Sequence, residues 1–233
     1  MSAPVASPQR SGHRLSEQAL EQAARLMRFN WLVAADAHGD SLSPWGPLFQ
    51  SGGHDDIRLL RRVSWSLLER HHLTTRYLHS TDDLAWLLLP LDVLKQVAQT
   101  LGVAMLGGWV RNGLAREQVS RQLKVLGPTQ RLAAMSYAGS LAALPYSTSG
   151  AGWPLSSDRP GAVVELGVSC MAALLGDEGR GARRRFLMRF PEGFAVPIWL
   201  SDPQRLEALA LIRQLTVTGP SGSSSENVSQ VRP

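Results

Sequence analysis

The chain has 233 residues, 44% of them hydrophobic and 18% charged, with 24 Lys and Arg against 19 Asp and Glu for a net charge of +5. That length and apolar content suit one globular domain or two small ones, and Cys170, the only cysteine, excludes intramolecular disulfides and thiolate metal clusters. The sequence pI of about 10.1 reflects an arginine excess in a chain with only two lysines, Lys95 and Lys124, and does not by itself indicate nucleic acid.

The longest uncharged apolar runs, residues 84–91 and 101–110, are broken by Pro90 and by three glycines, and neither approaches the roughly 20 residues of a membrane-spanning helix. Residues 1–12 contain no apolar h-region after their charge, so a cleaved secretory signal is not expected and a cytoplasmic location is. Residues 1–14 and 217–233 are rich in Ser, Gly, Pro and polar groups and are expected to be disordered tails around a body spanning residues 15–216.

In chain order, Ser16 can cap a helix reaching about residue 37, with Leu20, Ala23, Ala24, Met27, Trp31 and Ala34 spaced as one buried stripe. After a Gly/Pro loop, Asp55 and Asp56 open a helix over residues 56–71 that buries Leu60, Val63, Leu67 and Leu68 and turns Arg58, Arg61, Arg62 and Glu69 to water. Ser80-Thr81-Asp82-Asp83 precedes a short helix ended by Pro90, and a second helix follows over 91–105. Gly107-Gly108 is a break, and the next helix, 110–126, stops at Gly127-Pro128. Thr129 opens an amphipathic helix through Leu132, Met135, Ser136, Gly139 and Ala143. Residues 145–160 read as a mobile surface loop.

A helix over 162–175 follows. Residues 184–190 and 194–200, joined by Pro191-Glu192-Gly193, then read as a β-hairpin with Pro197 at an edge. The last helix, 203–215, has Leu206, Leu209, Ala210 and Ile212 for packing. The expected fold class is mainly α: a single irregular helical domain with a small C-terminal β-hairpin.

Catalytic signatures are near misses. Gly176, Gly179 and Gly181 lead into the expected strand rather than joining a strand to a helix, so they read as a polar turn and not a dinucleotide site. No P-loop or GxSxG motif is present. His54-Asp55-Asp56 and His71-His72 are the only local clusters with metal-ligand chemistry, but adjacent helical histidines point about 100° apart. Capping carboxylates and solvated helix-end histidines explain both clusters. Asp82-Asp83 and Asp177-Glu178 sit where a helix start or turn accounts for them, without a partner nucleophile. Cys170, in an apolar helical run, reads as an inert packed thiol.

What remains is surface chemistry. Arg58, Arg61 and Arg62 share one helix face, and Arg183, Arg184, Arg185 and Arg189 form a second basic patch; such a face is usually solvated or paired, and its functional reading is an acidic protein partner or anionic lipid heads. Of the seven tryptophans, Trp31, Trp65, Trp86 and Trp199 read mostly as core anchors, whereas Trp45 and Trp153 fall in Gly/Pro loops and Trp109 follows the Gly-Gly break. Trp109 with Arg111, and Trp199 on the expected edge strand, are candidate contacts.

These blocks, in this order, resemble the SctK family of bacterial type III secretion systems, the YscK/PscK proteins and their Hrp-type counterparts. The matching features are Arg28-Phe29-Asn30, the Leu-rich segment before Leu101-Gly102-Val103-Ala104-Met105-Leu106-Gly107-Gly108-Trp109-Val110-Arg111, and the two helices ending at Leu144-Pro145-Tyr146. The helix over 164–175, Arg185-Phe186-Leu187-Met188-Arg189-Phe190-Pro191, and Ile198-Trp199-Leu200 before the last helix complete the pattern, which covers residues 22–216. The N-terminal extension, the 145–160 loop and the C-terminal tail depart from it.

The resemblance implies a non-enzymatic cytoplasmic adaptor of the sorting platform, without cofactor, metal or catalytic residues. It would join the cytoplasmic domain of the inner-membrane ring protein SctD to the SctQ pod, and through it the SctL regulator and the SctN ATPase, for effector secretion. The partner-binding candidates, which come from the residues and not from the family, are Trp109, Arg111, Trp199, Arg58, Arg61 and Arg62. The competing readings are a metal-dependent enzyme using His54, Asp55 and Asp56, and a weak arginine-mediated nucleic-acid binder.

Overall fold

The computed structural model describes residues 16–49, 56–73, 82–113, 125–143, 161–176, 180–195 and 197–217. These are mainly helical. In order come α1 (Glu17–Trp31), α2 (Ile57–Arg70), α3 (Leu91–Met105), α4 (Gly107–Gly113), α5 (Pro128–Ser136), α6 (Ala162–Leu174), α7 (Arg180–Leu187) and α8 (Asp202–Val217). Short turns at Val33–Ala35, Gly39–Leu42, Ser43–Trp45 and Gly46–Leu48 follow α1, and 3-10 segments Asp82–Leu88 and Ser140–Ala143 precede α3 and follow α5.

The local signals work where a cap or a proline sets the boundary. Ser16 Oγ accepts from the Ala19 amide at 3.2 Å and starts α1. Asp56 Oδ1 accepts from the amides of Arg58 (2.8 Å) and Leu59 (3.3 Å) and starts α2. Pro90 separates the 3-10 segment from α3, and Pro128 occupies the first turn of α5 behind Gly127.

The core is built on α3 against α6. Helix α6 is largely apolar and buried almost throughout, as a central helix is; its buried polar residues are Glu165 and Ser169, whose hydroxyl donates to the Glu165 carbonyl at 2.8 Å. The two helices approach through small residues: a Cβ added at Gly102 would lie 2.0 Å from the Val163 carbonyl oxygen, and one at Gly167 would lie 1.7 Å from that of Ala98. Because 98 faces 167 while 102 faces 163, the helices run antiparallel. Trp86, Leu94, Leu101, Met105, Met171 and Phe186 pack around this contact. A second, smaller cluster lies under α2, where Leu60, Val63, Leu67 and Leu68 meet Val33, Leu42, Phe49 and Met188. The Ala34 amide donates to the buried Ser64 Oγ at 3.1 Å, and the His38 amide to the Met188 carbonyl at 2.8 Å, tying the turns after α1 to α2 and to the segment that follows α7.

Five sequence expectations are corrected. Residues 184–187 are helical, residues 197–200 join no ladder, and no strand occurs among the described residues, so the expected hairpin is absent there. Ala182, Arg185, Phe186, Arg189 and Phe190 are all buried, a spacing near 3.6 rather than 2. The alternation misled because two of the inward side chains are arginines.

The stripe on α1 faces outward: Leu20, Ala23, Ala24, Met27 and Trp31 are exposed, and the helix buries Phe29 and Asn30 instead. It also ends at Trp31, not near residue 37. Leu132 and Met135 on α5 and Leu206 on α8 are likewise exposed. Finally, Gly107 and Gly108 only turn the chain at Leu106, since α4 resumes at once; a Cβ on either would strike a carbonyl oxygen of Ala134 or Ala142. The expected tail 1–14, residues 218–233 of the expected tail 217–233, and the 145–160 loop lie outside the described residues, while Val217, expected in that tail, ends α8.

Candidate docking surfaces

Arginine dominates the polar chemistry, and much of it is turned inward. Arg189 is buried and donates from Nη1 to the Leu87 carbonyl (3.1 Å) and from Nη2 to that of Leu89 (2.8 Å). Arg185, also buried, donates to the carbonyls of Leu73 (2.8 Å) and Gly181 (3.3 Å). Arg205 grips the carbonyls of Ala173 and Leu174, both at 3.0 Å, closing the C-terminal end of α6. The planar guanidinium supplies paired donors that a lysine cannot. Burial pulls the Arg185 and Arg189 pKa values below the ordinary arginine range. The basic patch expected from residues 183–185 and 189 is therefore split: Arg184 is exposed and Arg183 half-buried, while Arg185 and Arg189 hold the fold.

The six partner-binding candidates fall on three separate elements. Arg58, Arg61 and Arg62 are exposed on α2 as expected. The same face carries Trp65, 54% exposed, whose indole donates to Glu69 Oε1 at 2.7 Å. The spacing 58, 61, 62, 65 places this tryptophan on the arginine face; it belongs there, not in the core. Trp109 is half-buried on α4, and Arg111 donates to the Tyr137 carbonyl at the end of α5, so Arg111 ties these two helices together. Trp199 is 84% exposed in the segment leading to α8, and Leu206 is exposed on α8 itself.

The surface that the sequence reading missed is the outward stripe of α1, with Leu20 54%, Met27 52% and Trp31 48% exposed. Its periodicity was legible; its direction was not.

Asp56 is committed to capping α2, and His54 and Asp55 lie outside the described residues. Among the described residues no group of three or more His, Cys, Asp or Glu could hold a metal ion. No helix of the described residues is long and apolar enough to cross a membrane.

Cys170 is fully buried, and burial pushes its thiol up to about 12. Tyr137 is raised as well, by burial and by donating its hydroxyl to Glu207 Oε1. Both groups hold their protons more tightly when folded. Their stabilisation is complete below the unfolded values, near 8.5 for the thiol and near 10 for the phenol, and is lost as pH rises through the folded values, at up to about 1.4 kcal/mol per pH unit for the fully buried thiol and at less for the solvent-screened phenol. Chemical denaturation between pH 7 and 11 should show stability falling from about pH 8.5, and Cys170→Ala should remove the first part of that slope. A pH-independent stability across this window would contradict the assignment.

The chain thus combines a helical body with arginines spent on internal carbonyls and aromatic and aliphatic side chains turned outward. Compared with protein-family models, curated proteins and solved structures, it matches none.

Proposed function

We propose that the protein is a docking adaptor of the SctK type, linking the cytoplasmic domain of SctD to the SctQ pod in a type III secretion sorting platform. The observation that supports an adaptor is the outward apolar stripe of α1. Leu20, Ala23, Ala24, Met27 and Trp31 form one helical face, and such a face in water costs free energy that a partner recovers by covering it. The helix is held on its other side by Phe29 and Asn30, so the stripe is presented on a fixed support. A second face of different chemistry, Arg58, Arg61, Arg62 and Trp65 on α2, gives the two distinct patches that a bridge between two proteins requires. The assignment to the type III platform comes from the sequence resemblance over residues 22–216.

The test is affinity purification of the full chain from its native cell, comparing wild type with Met27→Ser/Trp31→Ala. Wild type is expected to recover SctD and SctQ. The variant, whose changes are on exposed side chains and leave the helical circular dichroism unchanged, is expected to lose one of them by at least about tenfold, the effect of removing a buried aromatic anchor. Recovery of neither partner by wild type would refute the assignment, and full recovery of both by the variant would remove α1 as the docking face.

A further inference from the structure

We infer that the groove between the C-terminal end of α2 and α7 binds phosphoryl oxyanions, in the form of a ligand carrying two or more linked phosphoryl groups. The backbone creates the groove. Helix α2 ends with the His72 amide donating to the Glu69 carbonyl at 3.0 Å and the Leu73 amide to that of Leu68 at 2.8 Å. This paired closure needs a left-handed residue between them, usually glycine; here His72 takes it, at φ 56°. The turn brings His71 and His72 opposite α7.

Helix α7 presents Arg180, Arg183 and Arg184 at i, i+3 and i+4, neighbours on one helix face with Cβ atoms about 5–6 Å apart. With His71, His72 and Leu187 they line a groove of about 700 Å³, and no carboxylate lines it among the described residues. Arg184 is oriented within it: its Nε and Nη2 lie 3.2 and 3.0 Å from His71 Nδ1. Burial and the neighbouring Arg184 and Arg70 guanidinium groups lower the His71 pKa, which keeps this ring neutral at pH 7 and able to accept from Arg184. Beneath, the buried Arg185 adds a further positive charge while bonded to Leu73 and Gly181 at the groove wall. Two acids, Asp40 and Glu192, line an adjoining pocket of about 230 Å³ that shares His71, Arg184 and Leu187 with the groove; there the Asp40 carboxylate accepts from the Glu192 amide at 3.1 Å.

Several guanidinium groups within one helical turn offer parallel N–H pairs, the geometry that recognises phosphate oxygens. A single carboxylate engages one of them; linked phosphoryl groups place enough oxygens and charge to engage neighbouring arginines together. This inference is independent of the adaptor reading.

The experiment is calorimetric titration of the full chain with sodium tripolyphosphate, with 15N-resolved NMR to locate the contact. Wild type should bind, with amide shifts concentrated at residues 71–73 and 180–187. Arg180→Gln/Arg184→Gln, two exposed positions, should weaken binding at least about tenfold, whereas Arg25→Gln/Arg213→Gln, which removes the same charge on other helices, should change it less than about threefold. Sedimentation with cardiolipin vesicles separates the sources. Binding to tripolyphosphate alone assigns a soluble ligand, and vesicle binding that is lost in the α7 variant assigns a lipid headgroup; both support the site. No binding, equal losses in the two variants, or tighter binding of a pentaglutamate peptide than of tripolyphosphate would overturn it.

Discussion

Gly167→Ala should destabilise the protein by about 2 kcal/mol, and Gly167→Val should prevent it from folding. Helix propensity alone predicts the reverse, since alanine in a helix interior is favoured over glycine by about 1 kcal/mol. Packing overrides it. The new Cβ would sit 1.7 Å from the Ala98 carbonyl oxygen and 2.7 Å from the Ala98 Cα, both backbone atoms of α3 that no side-chain rotation can move away. Relief requires α3 and α6 to separate across the central core contact, and overpacking of this kind costs about 1–3 kcal/mol or more. Gly102→Ala meets the Val163 carbonyl at 2.0 Å and should behave alike. Because one separation of the helices accommodates both methyl groups, the double variant should cost less than the two single losses added together. Urea denaturation of the three variants measures this, and a Gly167→Ala protein more stable than wild type would show that the helices do not touch there.

Arg189→Met carries the second large effect, a loss of about 3 kcal/mol, or roughly 6–12 °C in Tm for a chain of this size. Methionine keeps most of the apolar stem but leaves the Leu87 and Leu89 carbonyls without their two guanidinium donors. The local backbone cannot replace them easily, because the next residue is Pro90, which has no amide hydrogen. Arg189→Lys should recover less than half of the loss, since an ammonium at the end of a flexible stem does not supply two parallel bonds. Thermal unfolding of both variants tests the claim; wild-type stability in Arg189→Met would mean that the paired bonds do not hold this segment.

Arg189 also shows why the stretch from Arg184 to Phe190 was misread as a strand. Arginine ordinarily marks a solvent-facing position, so the stretch from Arg184 to Phe190 looked like alternation in a half-exposed strand. The inward set is Ala182, Arg185, Phe186, Arg189 and Phe190, and the two arginines are admitted because each finds backbone carbonyls contributed by distant segments, near Leu73 and near Leu87. No local pattern contains that information. The same holds for the candidate surfaces. The arginine face of α2 was legible because its charges have only one comfortable side, whereas α1 and α5 have apolar residues enough on more than one face to be turned either way.

Sequence alone determined the helical class, the capped and proline-set boundaries at Ser16, Asp56 and Pro90, the burial of Cys170, and the exposure of Arg58, Arg61 and Arg62. All of these follow from interactions within a few residues, or from a strong preference of one side chain for water or for apolar surroundings. Tertiary structure decided which face of α1 is buried, that Gly102 and Gly167 are contact points between helices, and that several charges behind the +5 are internal donors to carbonyl oxygens. Those outcomes depend on which backbone atoms arrive from elsewhere in the chain, and a helix with two plausible faces, or an arginine with a possible internal partner, takes its place only when the neighbouring elements are present.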